Sequence, residues 1–174
     1  MSTLKIPVTQ EDHIQGDENA PITLVEYGDY ECSYCGSAYP IVKRIQKHFG
    51  KRLRFVFRNF PLVEAHPHAG ISAMTAEFAA SQHKFWEMHD ILYDNQESLD
   101  IPDLLDYAKS LDLSTTDLQT AIENQTFANK IQKDFMSGVR SGVNGTPSFF
   151  INGNRHNGSF EYEDLFAALD QAEK

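Results

Sequence analysis

The spacing of apolar residues changes period several times along the chain, and each change marks an element. Residues 1–20 read as polar and irregular. Ala20-Pro21 then leads into Ile22-Thr23-Leu24-Val25-Glu26-Tyr27, an apolar run that predicts a buried strand. Ala38 to Phe49 has helical spacing and stops at Gly50. In Leu53–Phe60 the side chains alternate, with Leu53, Phe55 and Phe57 on one face and Arg54 and Arg58 on the other, and Pro61 ends this second strand.

The pattern is then helical for about eighty residues. Ala69 to Ser81 is Ala-rich, and Phe85 to Tyr93 places apolar residues three and four apart. Ile101, Leu104, Leu105, Ala108 and Leu111 form a stripe. Ser114-Thr115-Thr116-Asp117 is a cap-like start for a helix continued by Leu118, Ala121 and Ile122. Phe127, Ile131, Phe135 and Val139 make the stripe of the last helix in this block, and Trp86, Met88 and Tyr93 are read as its core. Strand signals return at Ser148–Ile151, Asn152-Gly153 is a hairpin turn, and Arg155-His156-Asn157 is the expected return strand. A final helix carries Leu165, Phe166 and Leu169 on one face.

A β-α-β unit demands a parallel strand pair with a right-handed crossover, and the closing β-β-α adds an antiparallel hairpin and a covering helix. The expected class is therefore α/β: a central mixed sheet flanked by helices, formed by residues 1–60 and 126–174, with residues 61–125 as a helical insert. At 174 residues, 41% hydrophobic, the chain suffices for one such domain.

The net charge of −10 argues against nucleic acid and against anionic membrane surfaces. Residues 60–142 hold five Lys and Arg against thirteen Asp and Glu, so the helical block carries most of the negative charge and reads as a solvated surface. No apolar run approaches the roughly 20 residues of a membrane helix. Met1 to Pro7 holds no apolar segment able to act as a secretion signal, so a cytoplasmic location is expected if Met1 is the native start.

The chemistry concentrates in Cys32-Ser33-Tyr34-Cys35, which holds both cysteines of the chain and lies where the first strand gives way to a helix. A helix N-terminus favours an anion, and the thiolate is the nucleophilic form of cysteine. Cys32, at the expected exposed helix start, suits attack on a disulfide; Cys35, one turn further in, suits resolution of the mixed disulfide. Strand, CxxC and helix in this order read as a thioredoxin-like redox site. A zinc site would need two more ligands, and His66-Pro67-His68 is a poor match to zinc-module spacing. Those histidines are read as loop or cap residues. Glu26, six residues before Cys32 in an apolar strand, is expected to be partly buried with a raised pKa, fit to take the proton from Cys35.

Gly16 to Tyr27, Asp29 to Cys35, Phe57-Arg58-Asn59-Phe60-Pro61-Leu62 with His66-Pro67-His68-Ala69, and Gly145-Thr146-Pro147-Ser148-Phe149-Phe150-Ile151-Asn152-Gly153 resemble DsbA-like thioredoxin-fold oxidoreductases, in the same order and over nearly the whole chain. The resemblance implies a thioredoxin fold with an inserted helical domain and thiol–disulfide oxidoreductase activity. It implies an acid at Glu26, and a cis Thr146–Pro147 bond beside the cysteines that leaves the Thr146 backbone free to pair with substrate. Thr146, Pro147 and Tyr34 are the expected substrate contacts, and no cofactor or metal is expected.

Two departures bear on direction. The best-known oxidants of the family are exported, and their dipeptide contains a His where this chain has Ser33-Tyr34. With no imidazolium there, and with Asp29 and Glu31 close by, the Cys32 pKa is expected at roughly 6–7, nearer to thioredoxin than to the strong oxidant. A reductase or isomerase acting on thiol and disulfide proteins or glutathione-type small thiols follows, with neither nucleic acid nor membrane insertion and as a monomer. Two other functions share the pattern: a redox-sensing chaperone or binding module, and the glutathione-dependent transferases and isomerases of the same architecture. The latter carry a lone Ser or Cys nucleophile, which the intact pair speaks against.

Overall fold

Ile22–Gly28 is the middle strand of a five-stranded sheet, and its near-continuous apolar run is explained by burial on both faces. A computed structural model describes residues 2–174. The elements are β1 (His13–Gly16), β2 (Ile22–Gly28), α1 (Ser33–Phe49), β3 (Leu53–Asn59), α2 (Ala69–Ser81), α3 (Phe85–Asp94), α4 (Ile101–Ser110), α5 (Thr115–Asn124), α6 (Ala128–Arg140), β4 (Ser148–Ile151), β5 (Asn154–Arg155) and α7 (Tyr162–Glu173). The strand order is β1-β3-β2-β4-β5. β2 and β3 are parallel, with Val25 opposite Val56, while β2–β4, β4–β5 and β1–β3 are antiparallel. The expected parallel pair and closing hairpin are both present.

The pleat sorts β2 into two cores. Ile22 and Leu24 join Leu53, Phe55, Phe57, Cys32, Cys35, Ile45 and Leu165 in one cluster, under α1, α3 and α7. Val25 and Tyr27 pack with Val56, Phe60 and Phe150 in the other. Strand side chains alternate, so Glu26 points to the same side as Ile22 and Leu24, the side that holds the cysteines.

Three differences from the sequence reading have local causes. His13–Gly16, taken as irregular, is an edge strand on β3; it is short, polar and held by pairing with residues far along the chain. The return strand is Asn154–Arg155 rather than residues 155–157, because the tight turn places Asn152 (φ 47°) and Gly153 (φ 83°) alone in the left-handed region and pairing resumes at once. On α6 the apolar stripe is not the buried face: Val139 is 45% exposed, whereas Asp134, Ser137 and Gly138 are buried. The helix approaches the sheet so closely that a Cβ at Gly138 would lie 2.8 Å from the Phe60 ring and 3.0 Å from that of Tyr27. Only small side chains fit there, and the Tyr27 hydroxyl completes the contact by hydrogen bonding Ser137 Oγ at 2.8 Å. Phe135 packs from the side, stacked on Phe60 with centroids 4.2 Å apart.

Candidate active site

β2 ends at Gly28 and α1 begins at Ser33, so residues 29–32 form the loop that delivers the first cysteine. Cys32 is the N-cap of α1, in extended conformation (φ −69°, ψ 121°). An N-cap side chain faces the N–H groups two and three residues on, here those of Tyr34 and Cys35. As a thiol, Cys32 makes no capping hydrogen bond. As a thiolate it becomes the acceptor that the helix start lacks. Its pKa falls to about 5, chiefly through a hydrogen bond from the Cys35 thiol; burial opposes the shift, and Thr146 and the N–H groups of Cys35 and Tyr34 add to it. That is lower than the sequence suggested, and Cys32 is less exposed than expected, at 4%.

Thr146 faces the sulfur from the opposite side. The Thr146–Pro147 bond is cis, and Cys32 Sγ lies 3.5 Å from the Thr146 carbonyl oxygen. The Thr146 hydroxyl is buried with no partner while Cys32 is a thiol. It is placed to donate to the thiolate, since a carbonyl cannot.

Cys35 is wholly buried, and its pKa is pushed well above the usual thiol range by burial, by its hydrogen bond to Cys32 and by the charges of Glu26 and Cys32. Glu26 is 2% exposed, and its Oε1 has no hydrogen-bond partner. Burial raises its pKa to about 8, and the Cys32 charge adds to the rise. A thiolate donor-acceptor site thus stands above a buried thiol and a buried carboxyl that both resist ionisation.

Asp29 and Glu31 do not face Cys32 as unmatched charges. The Asp29 carboxylate is fully buried and accepts from the N–H of Glu31 (2.8 Å), the N–H of Leu62 (2.9 Å) and His66 Nδ1 (2.8 Å). Glu31 holds the N–H of His68 at 2.5 Å and His68 Nδ1 at 2.8 Å, while His68 Nε2 reaches Asp100 at 2.8 Å. Accepting from His66 and His68, the Asp29 and Glu31 carboxylates raise the pKa of those imidazoles, so each carboxylate favours the charged form of its partner. These donors weaken the repulsion on which the higher Cys32 pKa rested. The sequence reads His66 and His68 as loop or cap residues, and His68 is the N-cap of α2; no spacing rule links them to positions 29 and 31. Among the described residues no three metal-ligating side chains are grouped to hold an ion.

Tyr34 is 66% exposed on the rim of the site. Met88 and Tyr93 are buried in the main core together with the sheet residues and the cysteines, rather than in a core of the helical block alone, and half-buried Trp86 packs against that core. An open apolar groove of about 450 Å³ lies elsewhere, between α2 and α6, lined in part by Val63, Pro67, Ile71, Met74, Ile131 and Phe135.

The chain belongs to the thioredoxin family, whose model matches residues 8–171. In structure it is similar to BdbD from Bacillus subtilis (TM-score 0.89, 23% identity, 99% of this chain and 98% of that one). It is also similar to a thioredoxin-like oxidoreductase from Silicibacter pomeroyi DSS-3 (TM-score 0.82, 26% identity, 94% and 93%) and to Wolbachia pipientis alpha-DsbA1 (TM-score 0.82, 22% identity, 98% and 94%). The fold is therefore the DsbA-like thioredoxin fold. In sequence it is 44% identical over 170 residues to a protein of Salinispora arenicola named Na(+)/H(+) antiporter NhaA 1, covering 97% of this chain and 26% of that protein. A Herminiimonas arsenicoxydans protein named Na(+)/H(+) antiporter NhaA is 37% identical, with 98% and 27% covered. The chain spans about a quarter of the length of these curated relatives.

Proposed function

We propose that the chain is a thiol–disulfide oxidoreductase acting through Cys32 and Cys35. The observation that carries the reading is the opposed state of the two thiols: Cys32 is held toward the thiolate at about 5 while buried Cys35 is held far above it. Only one of them attacks first.

The Cys32 thiolate attacks one sulfur of a substrate disulfide; that S–S bond breaks, and the released substrate thiolate takes a proton from water. Cys32 is then in a mixed disulfide and has lost its charge. That charge was one of the causes holding up the pKa of both Glu26 and Cys35, so both become easier to ionise at this point. Glu26 releases its own proton to water and then accepts that of Cys35; Cys35 attacks Cys32 Sγ, the Cys32–substrate S–S bond breaks, and the second substrate sulfur leaves as a thiolate that takes a proton from water. The pair has gained a disulfide, and the substrate has gained two electrons and two protons. Run backwards, the same steps donate a disulfide. The Thr146 backbone and Pro147 offer an extended substrate its main-chain contact, and exposed Tyr34 flanks it.

A thiolate of about 5 stands between thioredoxin (about 7) and the strongest oxidant (about 3.5). In a cytosol poised between roughly −220 and −320 mV such a pair sits reduced and works as a reductase or isomerase on protein or small-molecule disulfides. We place it there, and thiol trapping in intact cells checks this by finding both cysteines reduced. A second reading, a redox-sensing binding module, is favoured by relatives in which this region is about a quarter of a protein named an antiporter. Insulin-reduction turbidity separates the two. Dithiothreitol-driven turnover that vanishes in Cys32→Ser supports the enzyme; no turnover above the uncatalysed rate supports the sensor.

A further inference from the structure

Gln96 lies in the turn after α3, far in sequence from the cysteines. Its side chain nevertheless ends on the active-site loop. Nε2 donates to the carbonyl of Tyr30 at 2.8 Å and to the carbonyl of Cys32 at 2.9 Å. The rest of the amide lies flat against Gly36: a Cβ at that position would overlap Oε1 and lie 2.6 Å from Cδ. One side chain thus spans the loop before the nucleophile, the nucleophile's own carbonyl and the first residue after the resolving cysteine.

We propose that Gln96 is a positioning residue that fixes Cys32 as the N-cap of α1 and thereby sets its nucleophilicity. The inference rests on the function proposed above and extends it. The Cys32 carbonyl already accepts the first helical hydrogen bond, from the Gly36 N–H at 3.0 Å. Gln96 supplies that oxygen with a second donor and, through the Tyr30 carbonyl, pins the chain two residues earlier. Between these two anchors the Cys32 side chain is held over the N–H groups of Tyr34 and Cys35. Without them the loop is free to rotate the sulfur off the helix axis, and each charge-assisted hydrogen bond that lengthens weakens the thiolate. Gly36 is the complementary half: its missing side chain is what admits the amide. Of the other anchors, the Tyr93 hydroxyl donates to the Asp29 carbonyl at 3.5 Å and the rest act on the loop's carboxylates. Asp29 is held by His66 and Leu62, and Glu31 by His68, which is in turn held by Asp100, while Cys32 itself is held from the helical block by Gln96.

The test is the pH titration of Cys32, followed by ultraviolet thiolate absorbance in the reduced protein. This readout needs no substrate, so it stands or falls apart from the proposed activity. Gln96→Met keeps length and packing but removes both donors. We expect its thiolate midpoint to rise by about one unit, a tenfold weaker thiolate, with the glutathione equilibrium shifting about tenfold toward the disulfide of the pair, near 30 mV. Gly36→Ala, which evicts the amide without touching Gln96 chemically, should raise the midpoint likewise. In Gln96→Ala the added methyl has room, so the double variant Gln96→Ala/Gly36→Ala should titrate as Gln96→Ala alone. An unchanged midpoint in Gln96→Met, whatever its thermal stability, would reduce Gln96 to a packing residue. Additive shifts in the double variant would equally sink the proposal, because they would mean that the two residues act separately.

Discussion

Cys32 Sγ sits 3.5 Å from the Thr146 carbonyl, beside a Thr146 hydroxyl that is buried and unpartnered. A protonated sulfur can use only the carbonyl, whereas a thiolate can use only the hydroxyl. The site therefore exchanges one contact for another as the proton leaves, and the unused hydroxyl is a reserve that favours the charged form. Thr146→Val keeps the shape and the carbonyl but deletes that donor. The Cys32 midpoint should rise from about 5 by about one to two units, given that a hydrogen bond to a charged group contributes about 1.5–3 kcal/mol. The pH profile of iodoacetamide alkylation measures it, with label expected on Cys32 and not on buried Cys35. An unshifted profile would assign the lowering to the helix start and to Cys35 alone.

Glu26→Gln should slow turnover and stabilise the fold at neutral and higher pH. The folded pKa of Glu26 is about 8, against an ordinary value of 4.5. Between those two values the folded protein keeps a proton that the unfolded chain has released, so stability falls as pH rises through the window. The full cost above pH 8 is on the order of 5 kcal/mol, and an amide does not incur it. Denaturation of the oxidised protein from pH 4 to 9 isolates the effect, because Cys32 no longer titrates there; burial, the first cause of the shift, persists. The expected result is a flatter profile for the variant. Parallel profiles would mean that Glu26 is not buried in its neutral form, and unchanged turnover would remove it from the proton path.

Gly138→Ala should destabilise by about 1–3 kcal/mol, the usual cost of forcing a methyl into a filled site. The added carbon would meet the ring of Phe60, the residue after β3, at 2.8 Å and that of Tyr27, on β2, at 3.0 Å, and both rings are buried. Chemical denaturation reads this directly, and the Cys32 titration should stay put because α6 lies across the sheet from α1. A neutral or stabilising substitution would show that α6 tolerates a wider seat on the sheet.

The elements that could be read from the sequence are those whose own residues carry the signal. β2 and β3 showed as apolar runs, α2 to α5 as stripes or caps, and the Ser114 cap is made as expected, accepting from the Asp117 N–H at 3.1 Å. β1 could not be read, because His13–Gly16 is a strand only by pairing with β3. The buried face of α6 was misjudged because close packing selects Ser and Gly there, which carry no hydrophobic signal. At the site, the cysteines and Glu26 stood out through type and spacing. The pairing of Asp29 with His66 and Glu31 with His68 did not, since residues 37 apart meet only once α2 packs against the loop. Missing those pairs led to the expectation of a weaker thiolate.

The redox potential of the Cys32–Cys35 pair, measured by equilibration with glutathione buffers, tests the central claim most directly: that the helix start, Cys35 and Thr146 stabilise the Cys32 thiolate and so set the couple. A pKa of about 5 lies midway between thioredoxin and the strong oxidant, and the potential should lie midway too, at about −195 mV, close to that of protein disulfide isomerase. A value near −270 mV would contradict the account, because it would show a thiolate no better stabilised than that of thioredoxin.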